Sequence, residues 1–129
     1  MTPDEKRAFV RDNHRAVLVT RRADGRVQTS PVVCGLADDG RVAVSITEDR
    51  AKTKNLRRDN RAAICVFTDD FFGPWVQVDG PVELVPAPTG TEGLKALYRQ
   101  VAGEHPDWDE YEAAMVRDRR VLCLISIDD

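Results

Sequence analysis

Between Ala16 and Ile46, three short runs rich in β-branched residues alternate with two Asp-Gly pairs. That spacing leaves room for little besides antiparallel hairpins, because Asp-Gly supplies the left-handed backbone a tight hairpin turn requires. The runs are Ala16-Val17-Leu18-Val19-Thr20, Val27 to Cys34, and Val42-Ala43-Val44-Ser45-Ile46; the turns are Asp24-Gly25 and Asp39-Gly40. Pro31 interrupts the second run. Proline cannot donate to a ladder, so this strand is expected to be an edge or to carry a bulge there.

The pattern continues to the end of the chain. Arg61 to Thr68 reads as a strand, and Trp75 to Gly80 alternates with period two. Pro81 to Val85 is expected to extend the latter past a bulge, and Pro86 to Gly90 reads as a linker. Arg120 to Ile127 is the last strand. Four helices are expected. One runs to about Asn13 behind a Thr2/Glu5 capping box with Pro3 in its first turn. Another covers Ala51 to Asp59. A third starts at Thr91 and carries Leu94, Leu97, Tyr98 and Val101 at helical spacing, and a short one covers Asp107 to Val116. Six or so strands joined largely by hairpins give a mainly β protein with an antiparallel sheet. Closing the sheet into a barrel would remove its exposed edges.

The 129 residues suit one domain, spanning 1–129. No apolar run reaches the ~20 residues of a membrane-spanning helix, and the charged start MTPDEKRAFV lacks a secretory core. A cytoplasmic location is the expectation. Cys34, Cys65 and Cys123 are odd in number, widely spaced and set in apolar stretches. They are expected to be buried free thiols. His14 is expected to cap the end of the first helix, and His105 to stabilise a turn between helices; neither has a metal-spaced partner. Trp108 and Tyr111 are expected to pack the helical hairpin on the barrel.

Net charge is −3, which argues against a nucleic-acid partner. The basic residues are concentrated instead. From Arg50 to Arg61, six of twelve residues are basic: Arg50, Lys52, Lys54, Arg57, Arg58 and Arg61. A strand ends at Ser45-Ile46 and a helix starts near Arg50, so Arg50 and Lys52 fall at a helix N-terminus. Cations there oppose the macrodipole unless an anion is bound, and free amides plus the dipole suit phosphate. The alternatives are an anion site or a solvated helix face.

The segment from Arg50 to Ala62, R-A-K-T-x-N-L-R-R-D-x-R-A, resembles the cofactor-phosphate segment of the split-barrel flavin and deazaflavin oxidoreductases, in particular the actinobacterial branch that uses coenzyme F420. Leu97 to Asp109, Tyr111, Ala114 to Val116, Asp118 to Leu122 and Gly25 to Ser30 resemble the same group, so nearly the whole chain is covered. The resemblance implies a six- to seven-stranded antiparallel split β-barrel of the FMN-binding, pyridoxamine-phosphate-oxidase-like kind, with short flanking helices. It also implies a homodimer with cofactor clefts at the subunit interface. Gln28, Ser30 and Pro31 would lie on the ring-facing strand, and Ser45 and Ile46 would meet the ring or its side chain. Arg50, Lys52, Thr53 and Asn55 would hold the phosphate, Lys52 foremost, while Arg57 and Arg58 would attract an oligoglutamate tail or face solvent. Trp75 and Gln77 would reach the cleft from the other subunit. Phe71 and Phe72 would form a lid or pack at the dimer contact. In relatives a tail beyond the last strand commonly touches the cofactor; this sequence ends at Asp128-Asp129. The implied activity is hydride transfer from reduced F420 to a small-molecule electron acceptor: an enone, a quinone or a tetrapyrrole such as biliverdin. The alternatives are an FMN-dependent oxidase or reductase on the same fold, or a non-catalytic F420 carrier. No catalytic side chain and no metal are expected, since the cofactor supplies the reactivity.

Overall fold

The computed structural model describes Met1 to Ile127; the terminal Asp128-Asp129 lies outside the described residues. Ten elements follow in order: α1 (Pro3–Asp12), β1 (Arg15–Arg21), β2 (Val27–Leu36), β3 (Val42–Thr47), α2 (Ala51–Arg58), β4 (Arg61–Phe67), β5 (Trp75–Pro86), α3 (Thr91–Ala102), α4 (Trp108–Arg117) and β6 (Arg120–Ile125). The strands close into an antiparallel barrel in the order β1-β2-β3-β6-β5-β4. The expected six- to seven-stranded split barrel is therefore present with six strands. Gly25 and Gly40 take φ values of 87° and 88°, the left-handed turns that the two Asp-Gly pairs required.

The two longest strands each serve both halves of the barrel. β2 pairs with β1 as far as Val33 and with β3 only from Cys34. β5 pairs with β4 up to Pro81 and with β6 from Val82. The register along β5 is continuous across Pro81, so the expected bulge is instead a change of neighbour. Gly80 permits it: a Cβ there would lie 2.3 Å from the Ser126 carbonyl oxygen. Pro31 lies in the half of β2 that has a strand partner on the β1 side alone, which is the edge alternative for that proline.

Inside the barrel, Leu18, Val44, Ile46, Ile64, Val66, Val78 and Val121 are fully or almost fully buried. α1 closes one end. Val10 is fully buried, and Arg7 donates to the carbonyls of Gly40 and Ile127. α2 closes the other end with Leu56. β6 is buried on both faces: Leu122 and Leu124 pack outward against α3 and α4 while Val121, Cys123 and Ile125 face inward. That explains its continuous apolar sequence. Burial pushes the Cys34 and Cys123 thiols up to about 12, so both are inert hydrophobes. Cys65 is only half-buried.

The two halves differ outside. Helices cover the outer face of the half that contains β3 and β6. The outer face of β1, β2, β4 and β5 is bare, and its register brings Val33, Arg15, Phe67 and Trp75 into one row. Val33 and Trp75 are 54% and 61% exposed.

α2 is fastened where β2 and β3 part. Buried Asn55 donates through Nδ2 to Thr20 Oγ1 at 3.1 Å and to Gln28 Oε1 at 3.0 Å. Thr53, fully buried, donates to the Thr47 carbonyl at 2.6 Å. Replacing Asn55 with Ala strands the buried Thr20 hydroxyl, and should cost about 1–3 kcal/mol in urea unfolding. Unchanged stability would show that this bridge does not hold α2.

Candidate functional site

Because β3 joins β2 only from Cys34 onward, a wedge opens beside Pro31-Val32-Val33. The wedge is a cleft of about 510 Å³, within the range of small-molecule sites. β2 forms one side with those three residues, and α3 forms the opposite wall with Leu94, Leu97, Tyr98 and Val101. Tyr111 and Met115 of α4 extend that wall. Ser45, Lys52 and Arg120 supply the polar end.

The aromatic part of the wall is rigid. Tyr98, His105, Trp108 and Tyr111 form a mutual cluster with centroids 5.1–5.8 Å apart. Arg99 lies 4.4 Å above the Trp108 ring. Tyr111 donates to the Leu94 carbonyl at 3.0 Å, and Lys95 pairs with Glu112, so α3 and α4 move as one unit. The His105 Nδ1 accepts from the Asp107 amide at 2.9 Å, the turn role expected of it. His14 is not a surface cap. It is half-buried, and its Nδ1 donates to the Cys34 carbonyl at 2.9 Å.

The basic run divides into two sets. Arg57 makes two hydrogen bonds to Glu48, both 2.9 Å, and Arg61 pairs with Asp79. Arg58 binds the Arg21 carbonyl. Arg50, Lys52 and Lys54 have no carboxylate partner among the described residues, and neither has Arg120. Arg50 is the N-cap of α2, with no side-chain cap and no acidic residue in the first turn. Burial, reinforced by the neighbouring Arg50 and Arg120 charges, pulls the Lys52 ammonium below the usual lysine range. A half-buried lysine beside two arginines at the positive end of a helix makes a local field that favours an anion.

Of the residues singled out from the sequence, Pro31, Ser45 and Lys52 meet in the cleft, with Arg50 beside them. Ile46 points into the barrel core, 1% exposed, so only its backbone can approach the cleft. The side chains of Thr53, Asn55 and Gln28 are hydrogen-bonded within the fold, and Ser30 is half-buried outside the cleft lining. Trp75 and Gln77 lie on the bare outer face of β5, away from their own chain's cleft. Arg120 escaped sequence reasoning. It follows Arg119, whose φ of 54° turns the chain from α4 into β6 and whose carbonyl accepts from the Glu48 amide at 3.0 Å. That bond brings the start of β6 beside the loop that leads into α2. The α3 wall was legible as an apolar stripe, but not as the side of a cleft.

Removing a charge from this cluster should stabilise the ligand-free fold. Lys52→Met is expected to gain about 0.3–1 kcal/mol in urea unfolding, because a cation opposing the helix dipole is gone. A loss of stability would mean that Lys52 already has a counter-charge.

Among the described residues no helix is long and apolar enough to cross a membrane, and no group of His, Cys, Asp or Glu could hold a metal ion. Residues 2–126 match the family model of pyridoxamine 5'-phosphate oxidase. Among solved structures, the chain is similar to the conserved hypothetical protein Rv2991 from Mycobacterium tuberculosis, with TM-score 0.78 and 22% identity over 100% of this chain and 82% of that one. It is similar to an F420 reductase, with TM-score 0.71 and 24% identity over 95% and 92% of the two chains. It is also similar to HutZ, a heme storage protein from Vibrio cholerae, with TM-score 0.72 and 15% identity over 100% and 91%. At these identities the structural likeness speaks for the barrel, while the family match spans nearly the whole sequence: the chain belongs to the pyridoxamine 5'-phosphate oxidase family.

Proposed function

We propose that this protein is an oxidoreductase that binds the phosphate-bearing deazaflavin F420 in the cleft between β2 and α3, and reduces a conjugated planar acceptor such as an enone, a quinone or a tetrapyrrole. The observation that carries the reading is the cluster of Arg50, Lys52 and Arg120, without carboxylate partners among the described residues, at one end of a slot with an apolar and aromatic wall. Those residues fit the group. The cations and the free amides of the α2 N-terminus match a phosphate, and the space between Pro31-Val32-Val33 and Leu97-Tyr98-Val101 matches a flat ring.

When bound, such a group supplies the hydride chemistry. The protein's part is to bind, orient and dry the site. Lys52 and Arg120 would hold the anion, Ser45 would offer a hydroxyl beside them, and the apolar wall would exclude water from the rest of the cleft. The similarity to an F420 reductase supports the deazaflavin over other groups. Heme-handling proteins share the fold, but neither histidine of this chain lines the cleft.

The reading includes a homodimer built on the bare face of β1, β2, β4 and β5. Pro31 and Val33 belong both to that face and to the cleft, so a second copy there borders each site. Trp75 and Gln77 then approach the partner's cleft. The Phe71–Phe72 pair, 81% and 93% exposed, is free to close over the cleft as a lid or to pack at the same contact.

F420 and FMN titrated side by side test this. F420 should bind more tightly. Lys52→Ala and Arg120→Ala should each weaken it by about 1.5–3 kcal/mol, the range of a charge-assisted hydrogen bond. Arg57→Ala, whose side chain is engaged with Glu48, should not. Light scattering should give about twice 14.4 kDa. Preference for FMN, or indifference to both, overturns the cofactor reading, and a monomer that still binds F420 overturns the shared cleft.

A further inference from the structure

β1 stops pairing with β2 at the Arg15–Val33 pair, but β2 continues to Leu36. The Cys34 amide still donates back to the His14 carbonyl at 2.9 Å. Alternate residues of a strand direct their amides and carbonyls to the same side. Those of Leu36 therefore point where β1 has already ended. A side chain takes the place of the missing strand. Gln100 of α3 accepts from the Leu36 amide through Oε1 at 2.7 Å and donates from Nε2 to the Leu36 carbonyl at 3.0 Å. One carboxamide reproduces the pair of bonds a neighbouring strand would make.

The adjacent residue makes room for this. A Cβ on Gly35 would lie 2.6 Å from Gln100 Oε1 and 2.8 Å from Leu97 Cδ1, closer than real side chains approach. Gly35 thus leaves a notch that seats both Gln100 and Leu97. Leu97 is also part of the cleft wall, and Tyr98 and Val101 flank Gln100 on the same helix. The notch and the cleft share one side chain.

We propose that Gly35 and Gln100 form a positioning clip that sets the distance between α3 and β2, and so gauges the cleft for a thin planar ring. The clip rests on the cofactor reading for what fills the cleft. Its effect is confined to one end. Lys52 stands on α2 and Arg120 on β6, neither of them on α3, so moving α3 alters the grip on a ring more than the grip on an anion. A substitution at the clip should therefore separate two affinities that a general loss of structure would lower together.

Two probes make that separation: lumiflavin, which is a ring without phosphate, and inorganic pyrophosphate, which is an anion without a ring. Gly35→Ala should weaken lumiflavin by about tenfold or more, since contacts misplaced by about 1 Å loosen a preorganised site. Pyrophosphate binding should stay within about twofold, its anchors being untouched. Gln100→Glu gives a second reading in case the alanine variant does not fold. At neutral pH its carboxylate faces the Leu36 carbonyl and cannot donate to it. As the pH falls toward about 4.3, the neutral acid regains a donor. Lumiflavin affinity of Gln100→Glu, measured relative to wild type at each pH, should recover on acidification, because the neutral acid can again donate to the Leu36 carbonyl. Equal lumiflavin affinity in wild type and both variants, or a parallel loss of both probes, overturns the clip. Wild-type protein that binds neither probe overturns the cofactor reading and the clip's gauge together, so the two failures are distinguishable.

Discussion

β2 exchanges one neighbour for another at Cys34, and the open edge this leaves organises the rest of the molecule. Upstream of the exchange, Val27 to Val33 pair with β1 alone. A strand edge with unpaired backbone must be covered or filled. α2 covers the start of that edge by inserting the Asn55 amide between Thr20 and Gln28. Farther along, at Pro31, the chain has a residue with no amide hydrogen to satisfy, and there the edge stays open and becomes the side of the cleft. The same strand supplies Pro31 and Val33 to the bare outer face. On the proposed reading, the place where the barrel splits is thus also where a ligand and a second copy would meet.

The electrostatics follow from where α2 begins. Its first turn carries free amides, no acidic residue and no side-chain cap, and it adds Arg50 and Lys52 to a field that is already positive. The connection from α4 through Arg119 then delivers Arg120 to the same place. A fold selected for stability alone would not gather these charges without a counter-ion. The arrangement stores a modest destabilisation in the free protein, which the proposed anion would reverse.

Much of the barrel was legible from the sequence because its signals are local. Asp24-Gly25 and Asp39-Gly40 state their turns outright, and Pro31 narrowed its strand to an edge or a bulge, of which the structure has the edge. The change of partner near Pro81 was not legible: the backbone runs on in register, and only the identity of the neighbour changes. In the site, Lys52 was found through the conflict between its charge and the helix dipole. The resemblance also gave Thr53 and Asn55 to the phosphate, behind Lys52, yet their side chains hold α2 in place, and composition cannot distinguish a polar group used internally from one offered to a ligand. Ser45 and Ile46 were read together, but the pleat sends adjacent residues to opposite faces, so one lines the cleft and the other fills the core. Arg120 lies about half the chain away from Lys52, and only closure of the barrel between β3 and β6 brings it near. The α3 stripe was read correctly as apolar; that part of it walls a cleft beside β2 leaves no mark in the periodicity.

The central claim is that Lys52 holds its charge against its surroundings until an anion arrives. The direct measurement is the titration of the Lys52 ammonium by nitrogen-detected NMR, with and without F420. The free protein should show a pKa below the ordinary lysine value, and saturation with F420 should move it upward as the phosphate supplies the missing counter-charge. A pKa that is ordinary in the free protein, or one that F420 leaves unmoved while bound, would contradict the account.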